Sequence, residues 1–173
     1  MSSNKFLTDS DRSSVLATLN SDLSGLNALA PVIQGDTTVS QARSDYSSIF
    51  TKYRVFALAL PQARFVASSD DLTGTVVPRL TDAQSRLQSL LSGPDSGKDT
   101  AAVQAAMTDL GKRISGITSD TSGLAATVLG YTPADWNTNH ELLSPARSKL
   151  QDARSDARAA RNDIRTVVQA LRS

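Results

Sequence analysis

The C-terminal part of the chain repeats apolar residues with a period of seven. One column of this repeat contains Leu143, Leu150, Ala157, Ile164 and Leu171. A second column, three residues further on, contains Ala146, Ala153, Ala160 and Val167. Residues three, four and seven apart share one face of an α-helix, and small alanine side chains let a neighbouring helix come close. The pattern therefore predicts a helix over 143–172 with one narrow packing seam.

Four further segments show the same helical spacing. Capping residues and glycine- or proline-rich breaks separate them, and the predicted helices span about 9–30, 38–68, 72–91 and 99–129. Pro61 lies inside the second of these, where it removes a backbone hydrogen bond, so we expect a kink there. The stretch 68–71 is expected to interrupt the helix. Whether the second and third helices form one rod is left open.

These segments predict an all-α fold. We expect a single domain over 1–173, built as an elongated antiparallel bundle of four or five long helices with coiled-coil-like packing. Gly116, Gly123 and Gly130 recur every seven residues beside the seam of the fourth helix. Each interior glycine costs about 1 kcal/mol relative to alanine, so this line indicates close contact with another helix or a ligand. We favour contact with the alanine column of the last helix.

Composition excludes several classes of function. The chain has no cysteine and one histidine, so thiol catalysis, disulfides and zinc sites of the Cys/His type lack their residues. No cofactor and no metal are therefore expected. The net charge is only +1, which argues against a nucleic-acid partner. The longest uncharged apolar-rich stretch, 55–63, is far shorter than the roughly 20 residues of a membrane span, and no signal peptide is visible after Met1.

Two motifs suggest chemistry at first. The stretch 93–100, Gly-Pro-Asp-Ser-Gly-Lys-Asp-Thr, resembles a phosphate-binding loop, but it is one residue short between the glycines and has Asp99 where a hydroxyl should follow the lysine. We interpret it as a helix hairpin. His140, with Asp135 and Glu141, has the residue types of a metal site or a general base. Because a second histidine and a nucleophile are missing, we favour a solvated loop residue and expect no enzyme.

Arginines form two columns on the last helix. They are Arg147, Arg154 and Arg161 in one, and Arg158, Arg165 and Arg172 in the other. Residues 141–173 carry seven positive and four negative charges, a net +3. A polyanion-binding strip, pairing with aspartates of adjacent helices and a plain solvated face all fit this pattern, and we favour the last two. The candidate partner-contact residues are Tyr131, Trp136, His140, Arg154, Arg158, Arg161 and Arg165.

Aromatic residues concentrate in the second helix. Five of the eight in the chain lie within twenty positions: Tyr46, Phe50, Tyr53, Phe56 and Phe65. We favour a core whose arginines extend to solvent or pair with aspartate. The alternative is an apolar pocket for a lipid-like ligand, with arginine side chains at its entrance. Its candidate residues are Tyr53, Arg54, Phe56, Arg64 and Phe65.

The segment 44–64 contains Tyr-Arg-Val-Phe at 53–56 and then Leu-x-x-Pro-x-x-Arg at 58–64. In this pattern it resembles a group of uncharacterised, secreted helical proteins of high-GC Gram-positive (actinobacterial) and candidate-phylum bacteria. The stretches 6–11, 19–26 and 129–147 fit the same group. The resemblance implies export through a signal peptide, and hence an extracellular or cell-surface location. It implies no activity, and no functional residue is carried over from it.

The residues and the resemblance together lead to one functional expectation. The chain is expected to be a non-catalytic interaction or structural module outside the cell or at the envelope, with a protein or an envelope component as its partner. The alternative is a carrier of an apolar or lipid-like ligand held between helices. Self-association stays open.

Overall fold

A computed structural model describes residues 6–172, and over that range the chain forms helices and turns without any strand. The all-α prediction is confirmed. The helices are α1 (Asp9–Gln34), α2 (Val39–Lys52), α3 (Leu60–Asp71), α4 (Val77–Leu91), α5 (Ala101–Thr121), α6 (Leu124–Leu129), α7 (Pro133–Thr138) and α8 (Ser144–Arg172). Two π turns, Val55–Ala59 and Leu72–Val76, and a 3₁₀ turn, Ser96–Lys98, complete the description. Residues 1–5 and 173 of the predicted domain lie outside the described range. The single domain and the coiled-coil-like packing stay predictions.

Threonine hydroxyls define the start of four helices. Each accepts a hydrogen bond from the backbone N–H three residues further on, at Thr8, Thr38, Thr100 and Thr132. At α2 and α7 the side chains of Gln41 and Asp135 accept in return from the backbone N–H of the capping threonine, which completes a capping box. Local capping chemistry therefore fixes where these helices begin.

The helix over 55–91 is continuous and contains both internal π turns. Each π turn ends two residues before a proline, Pro61 or Pro78, and the N–H of the residue in between, Leu60 or Val77, donates to the carbonyl five residues back. A proline ring cannot donate, and it clashes with the carbonyl four residues back. The extra residue of a π turn makes room for the ring. We call this continuous helix the rod.

The predicted bounds of the second helix, 38–68, are therefore wrong. The helix ends at Lys52 instead of 68, the chain turns at Arg54, whose φ is 21°, and a new helix runs through Pro61 with a π turn before it. The predicted break at 68–71 is also wrong, because the rod runs through it. Its polar residues bond to neighbouring elements instead of capping a helix end.

Buried Ser69 and Asp70 show this directly. The Ser69 hydroxyl donates to the Thr121 carbonyl of α5 at 3.4 Å, and an Asp70 carboxylate oxygen accepts from the Thr8 N–H at 2.8 Å. Burial raises the pKa of Asp70, the Thr8 N–H opposes that shift, and the negative charge of Asp11 adds to it. Asp70 thus anchors the start of α1 to the middle of the rod.

The rod, α5 with α6, and α8 form the main bundle. α5 and α8 run antiparallel: Lys98 Nζ, just before α5, donates to the Leu171 carbonyl at 2.5 Å, and Arg113 pairs with Asp156 at 2.9 Å further along. The rod is antiparallel to α5 and α6, since Gln62 Nε2 donates to the Val128 carbonyl at 2.7 Å. The lysine of the loop that resembles a phosphate-binding site therefore caps the C-terminal end of α8.

Several of the most deeply buried side chains lie in the α5–α8 seam. Fully covered positions include Leu110 and Ile117 on α5, and Ala153, Ala160 and Val167 on α8. The alanines leave room for the larger side chains of α5, so the two helices pack closely along the predicted column. The α8 prediction is confirmed in both its extent and its buried face.

The glycine line takes part in this seam at one position only. A Cβ on Gly116 would lie 2.5 Å from Asp156 Oδ2, so this glycine does face α8. Gly123 adopts a left-handed φ of 66° and separates α5 from α6, and Gly130 follows the end of α6. The prediction of one helix over 99–129 with three glycines against α8 is wrong at the last two, because one of them is needed for a turn.

α1 and α2 form a hairpin at one end of the bundle. The beginning of α1 lies on the rod, where Val15 is buried, and its second half packs on α2. The Tyr53 ring, just after α2, lies directly on the backbone of Gly25, where a Cβ would be 2.4 Å from the nearest ring carbon. We call residues 23–34, α2 and the first π turn the arm. The first π turn is also the start of the rod, so the two parts share it.

Replacing Ala160 by leucine should overpack the α5–α8 seam, because this alanine has no exposed surface. We expect the free energy of unfolding to fall by about 1–3 kcal/mol, measured by urea denaturation at unchanged m-value. The matched control is Ala105→Leu on the exposed face of α5, which should change it by less than about 0.5 kcal/mol. An equal change in the free energy of unfolding of the two variants would contradict close packing in the α5–α8 seam.

Gly25→Ala should loosen the arm, because the new methyl group occupies the position of the Tyr53 ring. We expect faster amide hydrogen exchange over residues 20–53 and unchanged protection in α5 and α8. Gly74→Ala is the control, since a Cβ there meets nothing within 4 Å. Unchanged exchange in the arm of the Gly25 variant would show that Tyr53 does not hold it.

Candidate functional site

The main candidate site is an apolar cleft in the arm. It has a volume of about 260 Å³ and is lined by Leu26, Ile49, Phe50, Arg54, Val55, Phe56 and Ala57. α1 and α2 provide one wall, and the first π turn provides the other. Arg54 is the single charged residue of this lining. A concave apolar surface with one cationic group suits an apolar or amphiphilic binding partner.

Arg54 holds the turn between α2 and the rod. Its φ of 21° and ψ of 34° lie outside the regions favoured by non-glycine residues, which costs about 1–3 kcal/mol. The turn is held from α7: Arg54 Nε donates to Asn137 Oδ1 at 2.8 Å, and Asn137 Nδ2 donates to the Thr51 carbonyl at 2.9 Å. These two bonds connect the edge of the cleft to α7.

The structure brings together two of the five residues predicted to bind a ligand. Arg54 and Phe56 line the cleft. Tyr53 packs on α1, Phe65 packs against the bundle core, and Arg64 is exposed. The predicted set therefore divides between the arm and the bundle, because the chain turns in the middle of it.

The favoured core interpretation of the aromatic residues is wrong for three of them. Tyr46 is 61% exposed, Phe50 52% and Phe56 85%. The Tyr46 and Phe50 rings pack edge to face with their centroids 5.2 Å apart, so they cover each other in part. α2 packs on α1 and on short α7, and its outer face is left exposed.

Sequence reasoning missed three residues of this region. Leu26 of α1 and Ile49 of α2 line the cleft, although neither is among the predicted ligand-binding residues. Asn137 was not considered, although it bonds to both Arg54 and Thr51. The signal for the two apolar residues was present in the helical spacing. No local signal marks Asn137, which lies more than eighty residues from its partners.

A second cavity lies between the rod and α8. This groove of about 330 Å³ is lined by Ser68, Asp71, Leu72, Val76, Arg154, Ala157, Arg158 and Arg161. Three predicted partner-contact arginines thus meet in one place. Arg154 Nη2 donates to the Ser68 hydroxyl at 2.7 Å.

Pairing of these arginines with aspartates of adjacent helices does not occur. Within residues 6–172, none of Arg154, Arg158 and Arg161 has a carboxylate within 4.0 Å, whereas Arg113 of α5 pairs with Asp156 of α8. The fourth predicted arginine, Arg165, donates to Asn162 Oδ1 at 3.3 Å in its own helix. The aspartate of α8 that forms an ion pair does so on the α5 side of the helix, away from the groove.

The loop before α8 is mostly structural. Tyr131 and Trp136 are half-buried and pack against the core, whereas His140 is exposed, with its ring centroid 5.7 Å from that of Trp136. Asp135 caps α7, and hydrogen bonds from the Thr132 hydroxyl and N–H lower its pKa. Asp135 is thus committed to Thr132. Across residues 6–172 no three His, Cys, Asp or Glu side chains gather as metal ligands.

Within the described range, each helix is too short or too polar to span a bilayer. No protein-family model matches the chain, and no curated protein or solved structure matches it either.

Proposed function

We propose that this chain is a non-catalytic interaction module that binds a protein or cell-envelope component through the arm. One observation carries the proposal: the arm keeps large apolar side chains in contact with solvent. Each is more than half exposed, and they are Leu23, Val32, Val39, Tyr46, Phe50 and Phe56. Large exposed apolar side chains that are concentrated in one part of a fold are typical of an interaction site.

The aromatic residues of the arm offer substantial binding energy. Covering the exposed parts of Tyr46, Phe50 and Phe56 would bury roughly 400 Å², since an aromatic side chain presents about 150–250 Å². At about 25 cal/mol per Å² this amounts to roughly 10 kcal/mol before the costs of association. A partner that covers these three rings would thus gain a large part of the free energy that offsets the cost of association.

Two further points support a non-catalytic module outside the cell or at its envelope. Two of the groups with catalytic potential have structural roles: Asp135 caps α7, and Lys98 caps α8. The location follows from the resemblance to secreted helical proteins. Fractionation of the native host is its test, and recovery of the chain solely from the cytoplasm would contradict the location without affecting the binding surface.

The binding surface can be tested by photocrosslinking in the native host. A photoreactive phenylalanine analogue at Phe50 or Phe56 should give a specific adduct, whereas the same analogue at Arg86, exposed on α4, should give none. Phe56→Asp should remove the adduct formed from position 50, because it places a charge in the covered surface. An adduct of twice the chain mass would identify a second copy as the partner. Equal labelling from position 86 would refute the arm as the binding surface.

The cleft favours a second candidate function, a carrier of an apolar or lipid-like ligand. Its volume of about 260 Å³ corresponds to roughly nine non-hydrogen atoms, if each takes about the 30 Å³ of a liquid water. An apolar chain would contact Leu26, Ile49 and Phe56, with an anionic head near Arg54. A short fatty acid such as octanoate has this size and charge.

Octanoate should therefore bind more tightly than octanol, measured by calorimetry and NMR titration. Ala57→Leu should abolish binding of both, because the larger side chain fills the cleft, and Ala105→Leu on α5 should leave it unchanged. Arg54→Gln should remove the preference for octanoate. Binding that survives Ala57→Leu, or no binding of either compound, would exclude the cleft as the carrier site.

A further inference from the structure

The arginine groove is built on one helical face and has an excess of positive charge. Arg154, Arg158 and Arg161 are spaced four and three residues apart, so they project from the same side of α8. One carboxylate, Asp71, belongs to the same lining, which leaves the groove with two more positive than negative charges. Like charges at this spacing repel by about 0.2–0.5 kcal/mol per pair, and a bound anion would relieve that repulsion.

Part of the groove is preorganised. Arg154 is held against the rod by the Ser68 hydroxyl at 2.7 Å, whereas Arg158 and Arg161 have no carboxylate of residues 6–172 within 4.0 Å. Guanidinium groups bind phosphate and sulfate oxygens with two parallel hydrogen bonds, which is the strongest common arrangement for an oxyanion. Arg158 and Arg161 line the same groove as Arg154, and their guanidinium groups are available for bonds of this kind.

The floor of the groove is apolar. Leu72 and Ala157 are buried, Val76 is half-buried, and both Leu72 and Val76 belong to the second π turn. A bare inorganic anion would leave this floor uncovered. A ligand with a small apolar group attached to the anion would contact the floor and the arginines together.

We propose that this groove is a binding site for phosphate or sulfate monoesters, with the oxyanion held by Arg158 and Arg161 and the organic group on Leu72 and Val76. The volume of about 330 Å³ corresponds to about eleven non-hydrogen atoms at roughly 30 Å³ each. Phenyl phosphate and phenyl sulfate have this size. The site is separate from the arm and does not depend on the function proposed for it.

The first test compares four small molecules by calorimetry and by NMR of the arginine side-chain N–H groups, at physiological salt. Phenyl phosphate or phenyl sulfate should bind and shift the Arg158 and Arg161 signals, and the tighter of the two identifies the natural ester class. Inorganic phosphate should bind more weakly, and phenol should not bind. Binding of phenol, or equal binding of inorganic phosphate, would overturn the proposal, as would no binding of either ester.

The second test compares two double variants of equal charge. Arg158→Gln with Arg161→Gln should weaken ester binding by about tenfold or more, whereas Arg165→Gln with Arg172→Gln, on the same helix and outside the groove lining, should change it less than about twofold. Asp71→Asn should strengthen binding about two- to fivefold, because it removes the one negative charge of the lining. Circular dichroism confirms that each variant is folded. Equal losses in both double variants would mean non-specific attraction and would refute the site.

Discussion

The close packing of α5 on α8 is the constraint on which the rest of the structure depends. Ala153 and Ala160 are small enough for Leu110 and Ile117 to fill the space between the helices completely. The rod then packs across both helices, and its buried Ser69 and Gln62 donate to carbonyls of α5 and α6. Once α8 has its alanine face inward, its arginines are left beside the rod or in solvent. The charged groove is therefore a consequence of the apolar seam.

The two π turns connect the sequence to both candidate sites. Pro61 and Pro78 would interrupt an ordinary helix, and each is accommodated by a π turn just before it. A π turn also shifts the direction of the side chains that follow it, because it adds one residue to the turn. The first π turn lines the apolar cleft, and the second lines the arginine groove. Each cavity thus has a π turn of the rod in its lining.

The arm differs from the bundle in how much of its apolar surface is covered by other helices. Its apolar residues have the same helical spacing as those of the bundle, and Tyr53 on Gly25 fixes α2 against α1. The bundle surrounds its apolar faces with three helices, whereas α2 has α1 on one side and the short α7 on another. The side chains of Phe50 and Phe56 therefore remain in solvent, and the strained turn at Arg54 keeps the arm at its angle to the rod.

The sequence by itself determined the all-helical fold, the extent of α8 and its alanine seam, because these depend on periodicity and capping within one helix. It also placed Arg54 and Phe56 among the candidate ligand residues. Only the tertiary structure decided that the chain turns at Arg54, that the rod continues through both prolines, and that Arg158 and Arg161 share a groove. The physical reason is that spacing along a helix shows which residues share a face. What covers that face depends on helices distant in the chain, and here this left the arm exposed and buried the alanines.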